Sequence, residues 1–271
     1  FLDNNGGTSV KIISKIENKE AIDNLEDIVR YSDGIMIARG DLGIEMPIHE
    51  LPVYQKKILD KCFVYWKPVI IATELMKSMV TNPFPTRAEV SDVYNSVMMR
   101  ADAVMLSDET AIGKYPVKAV EYMQKTIAEA EKLTNNKHKD FDINSMEESE
   151  VLKKSLGRYA LMLADEIHAK MIVVFSSSGN LARYLSAFKP NVPVVSFTAD
   201  EKLHYSLGIN YGIFSEKVEK FWSHMTENQE IAVKVLKEKK MVKKGDQVIL
   251  VGKKVYHNSD QPQMRVVRIE E

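Results

Sequence analysis

The sequence predicts an α/β protein of two domains, and three observations support this prediction. Residues 1–133 alternate short apolar runs with helix-like segments. Residues 134–149 are polar with little apolar period, as expected of a linker. Residues 150–271 then resume a strand and helix pattern of their own. We therefore expect a domain on either side of a linker.

The first domain contains four strand candidates that repeat along the chain. They cover residues 10–16, 34–38, 69–73 and 103–106. Their first residues are therefore 24, 35 and 34 positions apart. Each is almost wholly apolar until its C-terminal end, which is the pattern of a parallel strand covered on both faces. Repeated β/α units of this length predict either a TIM (β/α)8 barrel or a doubly wound sheet.

Helices are predicted between these strands. Thr-Arg-Ala-Glu at residues 86–89 is a capping box, which would begin the third of them. The four predicted helices cover residues 21–29, 51–65, 89–99 and 116–132.

The second domain starts with a predicted helix at residues 150–167 and a strand at 171–175. A serine-rich turn and another helix follow. The remainder is predicted as a strand at 192–197, two helical stretches, and strands at 247–251 and 264–269.

Composition argues against several classes of function. The 37 basic and 38 acidic residues leave a net charge of −1, so no basic excess indicates nucleic-acid or anionic-membrane binding. No apolar run approaches the roughly 18 residues that a membrane span needs. The single cysteine, Cys62, excludes an internal disulfide and favours a reducing compartment, so we expect a cytoplasmic protein. Cys62 itself is most simply a small buried residue on a helix.

Polar residues cluster where the apolar strands of the first domain end. Lys15 and Glu17 are two residues apart, so their side chains leave the first strand on the same face. Any one such cluster can be an exposed ion pair or a turn. Four together predict an active site at the carboxyl rim of a barrel. The other three strand ends carry Arg39, Gly40 and Asp41; Thr73 and Glu74; and Ser107, Asp108 and Glu109.

The residue types at these strand ends favour metal-assisted phosphoryl transfer. Glu17 and Asp41 supply hard oxygen ligands of the kind that bind Mg²⁺ or Mn²⁺. Lys15 supplies a compact positive charge for a phosphoryl group in flight. The hydroxyls of Thr73 and Ser107 can pass a proton, directly or through water.

At these positions the sequence resembles the pyruvate kinase family. The match is dense and without gaps over residues 9–133, and looser to the end of the chain. It implies that the first domain is the last four β/α units of a TIM (β/α)8 barrel, followed by a separate three-layer α/β domain. The motifs, in order, are Val-Lys-Ile-Ile-Ser-Lys-Ile-Glu-Asn-Lys-Glu-Ala-Ile at 10–22, Asp-Gly-Ile-Met-Ile-Ala-Arg-Gly-Asp-Leu-Gly-Ile-Glu at 33–45, Pro-Phe-Pro-Thr-Arg-Ala-Glu-Val-Ser-Asp at 83–92 and Asp-Ala-Val-Met-Leu-Ser at 102–107.

The resemblance implies transfer of phosphate from phosphoenolpyruvate to ADP, giving pyruvate and ATP in glycolysis. Lys15 would stabilise the transferring phosphoryl group and the enolate, while Glu17 and Asp41 would bind Mg²⁺ or Mn²⁺. Thr73 would hydrogen-bond the substrate, and Ser107 would belong to the proton relay. The substrate carboxylate would be held by the backbone of Ala38, Arg39, Gly40 and Asp41.

Three residues depart from the family pattern. Glu74 stands where the family commonly has Gln, Asp108 where it has Gly, and Tyr94 where it has Ala. The two added carboxylates either retune metal or proton affinity, or are paired with Lys77 or Lys114.

The turn Ser176-Ser177-Ser178-Gly179-Asn180 leads into a helix of the second domain. Hydroxyls and backbone N–H groups at a helix N-terminus suit a phosphate, and many family members bind a phosphorylated sugar effector there. Asn180 and Leu181, however, stand where effector-binding members often have charged or hydroxyl residues. A plain capping turn is therefore as good an interpretation as an effector phosphate site.

The resemblance covers only the C-terminal half of the family's chain. The first residue is Phe1 rather than Met, so we expect the natural N-terminus to lie upstream. The resemblance also implies K⁺, with its ligands in the half that is not present here, and a homo-oligomer, a tetramer by family. Because a half barrel has two open edges, we expect this chain alone to be inactive.

Two other functions stay open. One is a non-catalytic module that binds a metabolite or assembles with a full-length subunit. The other is a different barrel that handles phosphoenolpyruvate or pyruvate, for which the motif at residues 10–22 would have to be a coincidence.

Overall fold

Two units, Phe1–Asn135 and Asn136–Glu271, make up the computed structural model. It describes residues 2–134, 148–219, 225–256 and 259–270. The linker prediction falls mostly on residues 135–147, which lie outside the described residues.

Four parallel strands form the sheet of the first unit, in the order β1-β2-β3-β4. This order follows the chain without a reversal, which distinguishes a barrel-type sheet from a doubly wound one. All four residues of β3 are buried, as expected of a parallel strand covered on both faces. The strands are β1 (Ile13–Ile16), β2 (Gly34–Ala38), β3 (Val69–Ala72) and β4 (Ala103–Met105).

Strand β1 is shorter than the predicted run at residues 10–16. The carbonyl of Ile12 accepts the N–H groups of Asp33 at 2.8 Å and Gly34 at 3.2 Å. The N–H of Ile12 in turn donates to the Asp33 carboxylate at 3.0 Å. Ile12 is therefore tied to the turn that precedes β2, and the regular ladder starts at Ile13.

Helices connect the strands, and two of them were not predicted. Helix α3 begins directly at the end of β2, where the Gly-Asp sequence is typical of a turn, and α6 follows β4 after two intervening residues. The helix predicted at 21–29 is split at Asn24. The helices are α1 (Lys19–Asp23), α2 (Leu25–Tyr31), α3 (Arg39–Glu45), α4 (Leu51–Tyr65), α5 (Arg87–Met98), α6 (Asp108–Ala111) and α7 (Pro116–Glu131).

The predicted capping box at Thr86 and Glu89 is confirmed. The Glu89 carboxylate also accepts the N–H of Ser78 at 2.7 Å and its hydroxyl at 2.6 Å. One side chain thus begins α5 and holds the 3-10 helix Lys77–Val80, which follows β3. Burial alone would raise the pKa of Glu89, but the hydrogen bonds from Ser78 and Thr86 lower it below its ordinary value.

The second unit contains a five-stranded sheet in the order β7-β6-β5-β8-β9. All of its pairs are parallel except β8 with β9. The chain runs outward from β5 through β6 to β7 and then returns to the other side of β5, so the strand order reverses between β5 and β8. The strands are β5 (Met171–Phe175), β6 (Val194–Thr198), β7 (Ile213–Lys217), β8 (Gln247–Tyr256) and β9 (Ser259–Arg268).

The helices of the second unit correspond to the predicted ones, with an added strand. Strand β7 was not predicted and lies between the two predicted helical stretches. The helices are α8 (Glu148–Glu166), α9 (Asn180–Ala187), α10 (Glu201–Ser206) and α11 (Met225–Glu238). Among the described residues, no helix combines the length and apolar character needed to cross a membrane.

Replacing Glu89 with Gln tests the contribution of its carboxylate to stability. We expect a loss of about 1–2 kcal/mol in the free energy of unfolding at pH 7, because the charged acceptor is removed. Since the pKa of Glu89 is lowered by folding, its contribution is complete above the unfolded pKa of about 4.3 and is lost as pH falls further. The difference between wild type and Glu89→Gln should therefore shrink from pH 7 to pH 3 in urea unfolding.

The exposed Glu121 on α7 provides the matched control, since Glu121→Gln should change stability little at either pH. A difference for Glu89→Gln that stays constant with pH would contradict the assignment.

Candidate active site

The ammonium group of Lys15 joins two carboxylates at the carboxyl ends of β1 and β2. It donates to Asp41 Oδ2 at 2.7 Å and also hydrogen-bonds the Glu17 carboxylate. Parallel pairing in register, Lys15 with Met36 and Ile16 with Ile37, places these strand ends side by side. The structure therefore brings together three of the residues predicted from sequence.

The contact shifts the pKa values of Lys15 and Asp41 in opposite directions. Hydrogen bonds to Asp41 first, and to Glu17 second, raise the pKa of Lys15 above its ordinary value. The hydrogen bond and charge of Lys15 lower the pKa of Asp41. Both shifts favour a positive ammonium beside negative carboxylates at neutral pH.

The donor set fits a divalent metal. Glu17 and Asp41 already direct their oxygens at one cationic group, Lys15. Mg²⁺ commonly takes one or two protein carboxylates and leaves its other positions to water and substrate. Within the described ranges no cluster of three or more His, Cys, Asp or Glu side chains could hold a metal ion. The candidate ligands are thus this pair of carboxylates.

Thr73 ties the end of β3 to the first turn of α3. Its Oγ1 accepts the N–H of Gly40 at 2.8 Å, and its carbonyl accepts a hydrogen bond from Arg39 Nη2 at 3.0 Å. A Cβ at position 40 would lie 3.4 Å from Thr73 Oγ1, an ordinary van der Waals distance, so this hydrogen bond does not by itself require a glycine. Thr73 and Glu74 both have positive φ, 68° and 56°, which is a strained conformation for these residues.

The side chain of Arg39 points inward. It is 8% exposed, and its Nη1 lies 2.7 Å from Asp92 Oδ1 on α5. The buried guanidinium is hydrogen-bonded to Asp92 and to the Thr73 carbonyl. Only the backbone of Arg39 is therefore available to a substrate. Asp92 was not among the predicted site residues, although it ends the motif at residues 83–92.

Ser107 directly precedes α6, and its backbone N–H donates to Glu109 Oε2 at 2.9 Å. Glu109 is 2% exposed, and its Oε1 accepts the N–H of Met76 at 3.0 Å. The carboxylate thus connects the chain after β3 to the chain after β4. This contact joins residues 33 positions apart and has no local sequence pattern.

Glu74 is paired with Lys77 at 3.4 Å, and both side chains are more than half exposed. For Glu74 the structure thus favours pairing over retuning. Asp108 is the first residue of α6, and its side chain is exposed.

The serine-rich turn of the second unit lies at the carboxyl end of β5, beside the reversal of strand order. This is where open α/β sheets bind ligands. Ser176 is buried and its Oγ accepts the N–H of Gly179 at 2.7 Å, while Ser177 and Ser178 are exposed. Arg183 Nη1 donates to the carbonyl of Ser178 at 2.9 Å. These contacts hold the turn itself, and the N-cap residue Gly179 makes no side-chain cap. Phosphate binding at residues 176–180 stays a prediction.

Fold and site together define a class of protein: a barrel-type β/α unit with a lysine–carboxylate cluster on its rim, followed by a separate α/β unit. The family model described as "Pyruvate kinase, barrel domain" matches residues 1–120, and "Pyruvate kinase, alpha/beta domain" matches residues 154–267. The chain belongs to the pyruvate kinase family.

Similar proteins agree with this assignment. The chain is 40% identical over 250 residues to a pyruvate kinase of Borreliella burgdorferi, covering 91% of this chain and 51% of that protein. It is 39% identical over 247 residues to one of Thermotoga maritima, covering 91% and 52%. A solved pyruvate kinase from Cryptosporidium parvum has a TM-score of 0.87 at 33% identity, covering 99% of this chain and 54% of that one. The chain thus spans about half the length of these relatives.

Replacing Arg39 with Lys tests the buried link between α3, α5 and β3. We expect a loss of about 1–3 kcal/mol in the free energy of unfolding, because a lysine lacks the planar fork whose two nitrogens, Nη1 and Nη2, reach Asp92 and the Thr73 carbonyl separately. Arg30→Lys on the exposed face of α2 is the matched control, and it should change stability by less than about 0.5 kcal/mol. Equal effects of the two substitutions in urea unfolding would refute the proposed link.

Proposed function

We propose that this chain supplies the lysine, the metal ligands and the residues of the proton relay, all at the carboxyl rim of the barrel, to a pyruvate kinase active site. The reaction is transfer of phosphate from phosphoenolpyruvate to ADP, giving pyruvate and ATP. The observation that carries the proposal is the contact of the Lys15 ammonium with both Glu17 and Asp41. A cation held beside two hard carboxylate ligands is the arrangement that phosphoryl transfer requires.

The reaction divides into two changes of bonding. The bond between phosphorus and the enol oxygen breaks as a terminal oxygen of ADP bonds to the same phosphorus. The resulting enolate then takes a proton at its methylene carbon and becomes pyruvate. The protein's contribution to the first change is positioning and charge stabilisation, and to the second a donor of the proton.

Lys15 serves the first change by stabilising negative charge on the phosphoryl group and on the enolate oxygen. Glu17 and Asp41 would hold a Mg²⁺ or Mn²⁺ ion, which when bound supplies further positive charge to the same oxygens. The backbone at residues 38–41 would bind the substrate carboxylate. Arg39 and Asp41 contribute N–H groups of the first turn of α3, whereas the N–H of Gly40 is bonded to Thr73.

Thr73 would bind the substrate, and Ser107 would take part in delivering the proton. Thr73 Oγ1 accepts a bond from Gly40, which leaves its own hydrogen to donate to the substrate. The Ser107 hydroxyl would belong to the relay that protonates the enolate. Ser107 lies at the end of β4, two strands from the end of β2 that leads to Asp41.

The remaining expectations stay predictions. They are the use of K⁺, a homotetramer, a phosphorylated effector at residues 176–180 and a cytoplasmic location. One of the structural relatives is a Cryptosporidium parvum pyruvate kinase in complex with ADP, with a TM-score of 0.85, which supports a nucleotide as the phosphate acceptor.

A non-catalytic binding or assembly module is the alternative. The intact cluster of Lys15, Glu17 and Asp41 argues against it, since a module without catalysis has no use for a lysine held between two metal ligands. The open edges of the four-stranded sheet, β1 and β4, are the feature that favours it.

Replacing Lys15 with Met in the active protein that contains this chain tests the proposal. We expect the rate of pyruvate formation to fall by a factor of about 100 to 1,000, because the charge on the phosphoryl group loses its cation. Lys57→Met, which removes an exposed lysine on α4, is the control and should leave the rate unchanged. Full activity of Lys15→Met in a coupled assay would sink the proposal.

The isolated 271-residue chain should show no turnover. Its first unit contains a four-stranded sheet with β1 and β4 as edges, whereas a barrel active site takes residues from strands around the whole rim. The measurement is pyruvate formation by the chain alone, compared with its Lys15→Met variant. Turnover above that background would show that the described unit is sufficient.

A further inference from the structure

The ladder of the first sheet stops short of the residues proposed to handle substrate and proton. The last paired residues of β3 and β4 are Ala72 and Met105. Thr73 and Ser107 both lie beyond this pair, so strand pairing does not fix their positions relative to each other. Another contact has to supply that constraint.

Glu109 supplies it. Its carboxylate is buried between the two chain segments and accepts Met76 N–H through Oε1 and Ser107 N–H through Oε2. Both partners are donors, so the position requires a side chain with two acceptor oxygens, which among the amino acids only an ionised carboxylate of this length provides. A glutamine would keep the shape but place an NH₂ donor against one of the two N–H groups.

We propose that Glu109 is a positioning residue, which holds the backbone of Ser107 at a fixed place relative to Thr73 and thereby aims the Ser107 hydroxyl at the enolate. This inference rests on the proposed function. Glu109 acts through Ser107 and does not itself touch substrate. It differs from Glu89, which holds the same post-β3 segment at Ser78 but has no bond to Ser107.

The pair Glu109 and Glu89 allows a matched comparison. Both carboxylates accept backbone N–H groups of residues 76–78, so Gln at either position disturbs that segment. Only Glu109→Gln makes Met76 and Ser107 compete for a single acceptor oxygen. An effect confined to Glu109→Gln therefore separates positioning of Ser107 from loosening of the segment.

The first measurement is amide hydrogen exchange in the full chain, followed by NMR. In wild type we expect slow exchange at Met76 and Ser107. Glu109→Gln should speed at least one of the two by about tenfold or more, the factor for a hydrogen bond to a charged group, because the glutamine keeps only one acceptor oxygen, with Ile71 in β3 unchanged. Glu89→Gln should leave Ser107 as in wild type.

Two outcomes overturn the structural part of the inference. One is fast exchange of the Met76 and Ser107 amides in the wild type, a result that can be obtained even if no variant folds. The other is unchanged exchange in Glu109→Gln. If that variant does not fold, Glu109→Asp keeps the charge but shortens the side chain by one methylene, and it should lose protection at one of the two amides.

The second measurement is kinetic and uses the active protein that contains this chain. Glu109→Gln should lower kcat by about tenfold to a hundredfold while KM for phosphoenolpyruvate changes less than about threefold, since proton delivery and not binding is affected. It should also slow exchange of the pyruvate methyl hydrogens in D₂O. Glu89→Gln should do neither.

Faster amide exchange with unchanged kcat would make Glu109 a purely structural residue and refute the positioning role. Failure of the proposed function is visible separately, as full activity of Lys15→Met, and it would leave the exchange results standing.

Discussion

Parallel pairing in register is the constraint on which the candidate active site depends. Ile16 pairs with Ile37, Ala38 with Ala72, and Ala72 with Met105. Because all four strands run the same way, their carboxyl ends lie on one rim, and side chains from distant parts of the sequence lie together there. Strands β2 and β3 are buried almost throughout, so their register is held by side-chain packing on both faces rather than by an alternation of apolar and polar residues.

Beyond the last paired residues of the strands, hydrogen bonds between side chains and backbone, and not strand pairing, fix the position of the chain. Thr73 accepts from Gly40, Arg39 donates to the Thr73 carbonyl, and Glu109 accepts from Met76 and Ser107. These bonds hold Thr73 in a left-handed conformation that a threonine adopts only at a cost of about 1–3 kcal/mol. This strain and the contact with the buried Arg39 favour a rigid placement of the Thr73 hydroxyl, which we propose binds the substrate.

Local patterns were sufficient to predict the four strands of the first unit and the cluster of Lys15 and Glu17. The spacing of Lys15 and Glu17 places both on one face, and the apolar run at residues 34–38 is β2. Helix α3 was missed because Gly40-Asp41 after a strand has the composition of a turn. Strand β7 was missed because its sequence, Ile-Phe-Ser-Glu-Lys, ends in polar residues at the sheet edge. The contact of Glu109 with Met76 is long-range, and no periodicity or spacing encodes it.

Glu74 and Asp108, the two departures from the family pattern that add a negative charge, are best understood from the surroundings of their carboxylates. The Glu74 carboxyl carbon would lie 3.9 Å from a Cβ at position 40, so the side chain borders the rim. Its carboxylate is paired with Lys77 in a solvent-exposed position, where water and salt screen its field. Asp108 is exposed at the start of α6. The contacts of Lys15 with Glu17 and Asp41 involve neither added carboxylate.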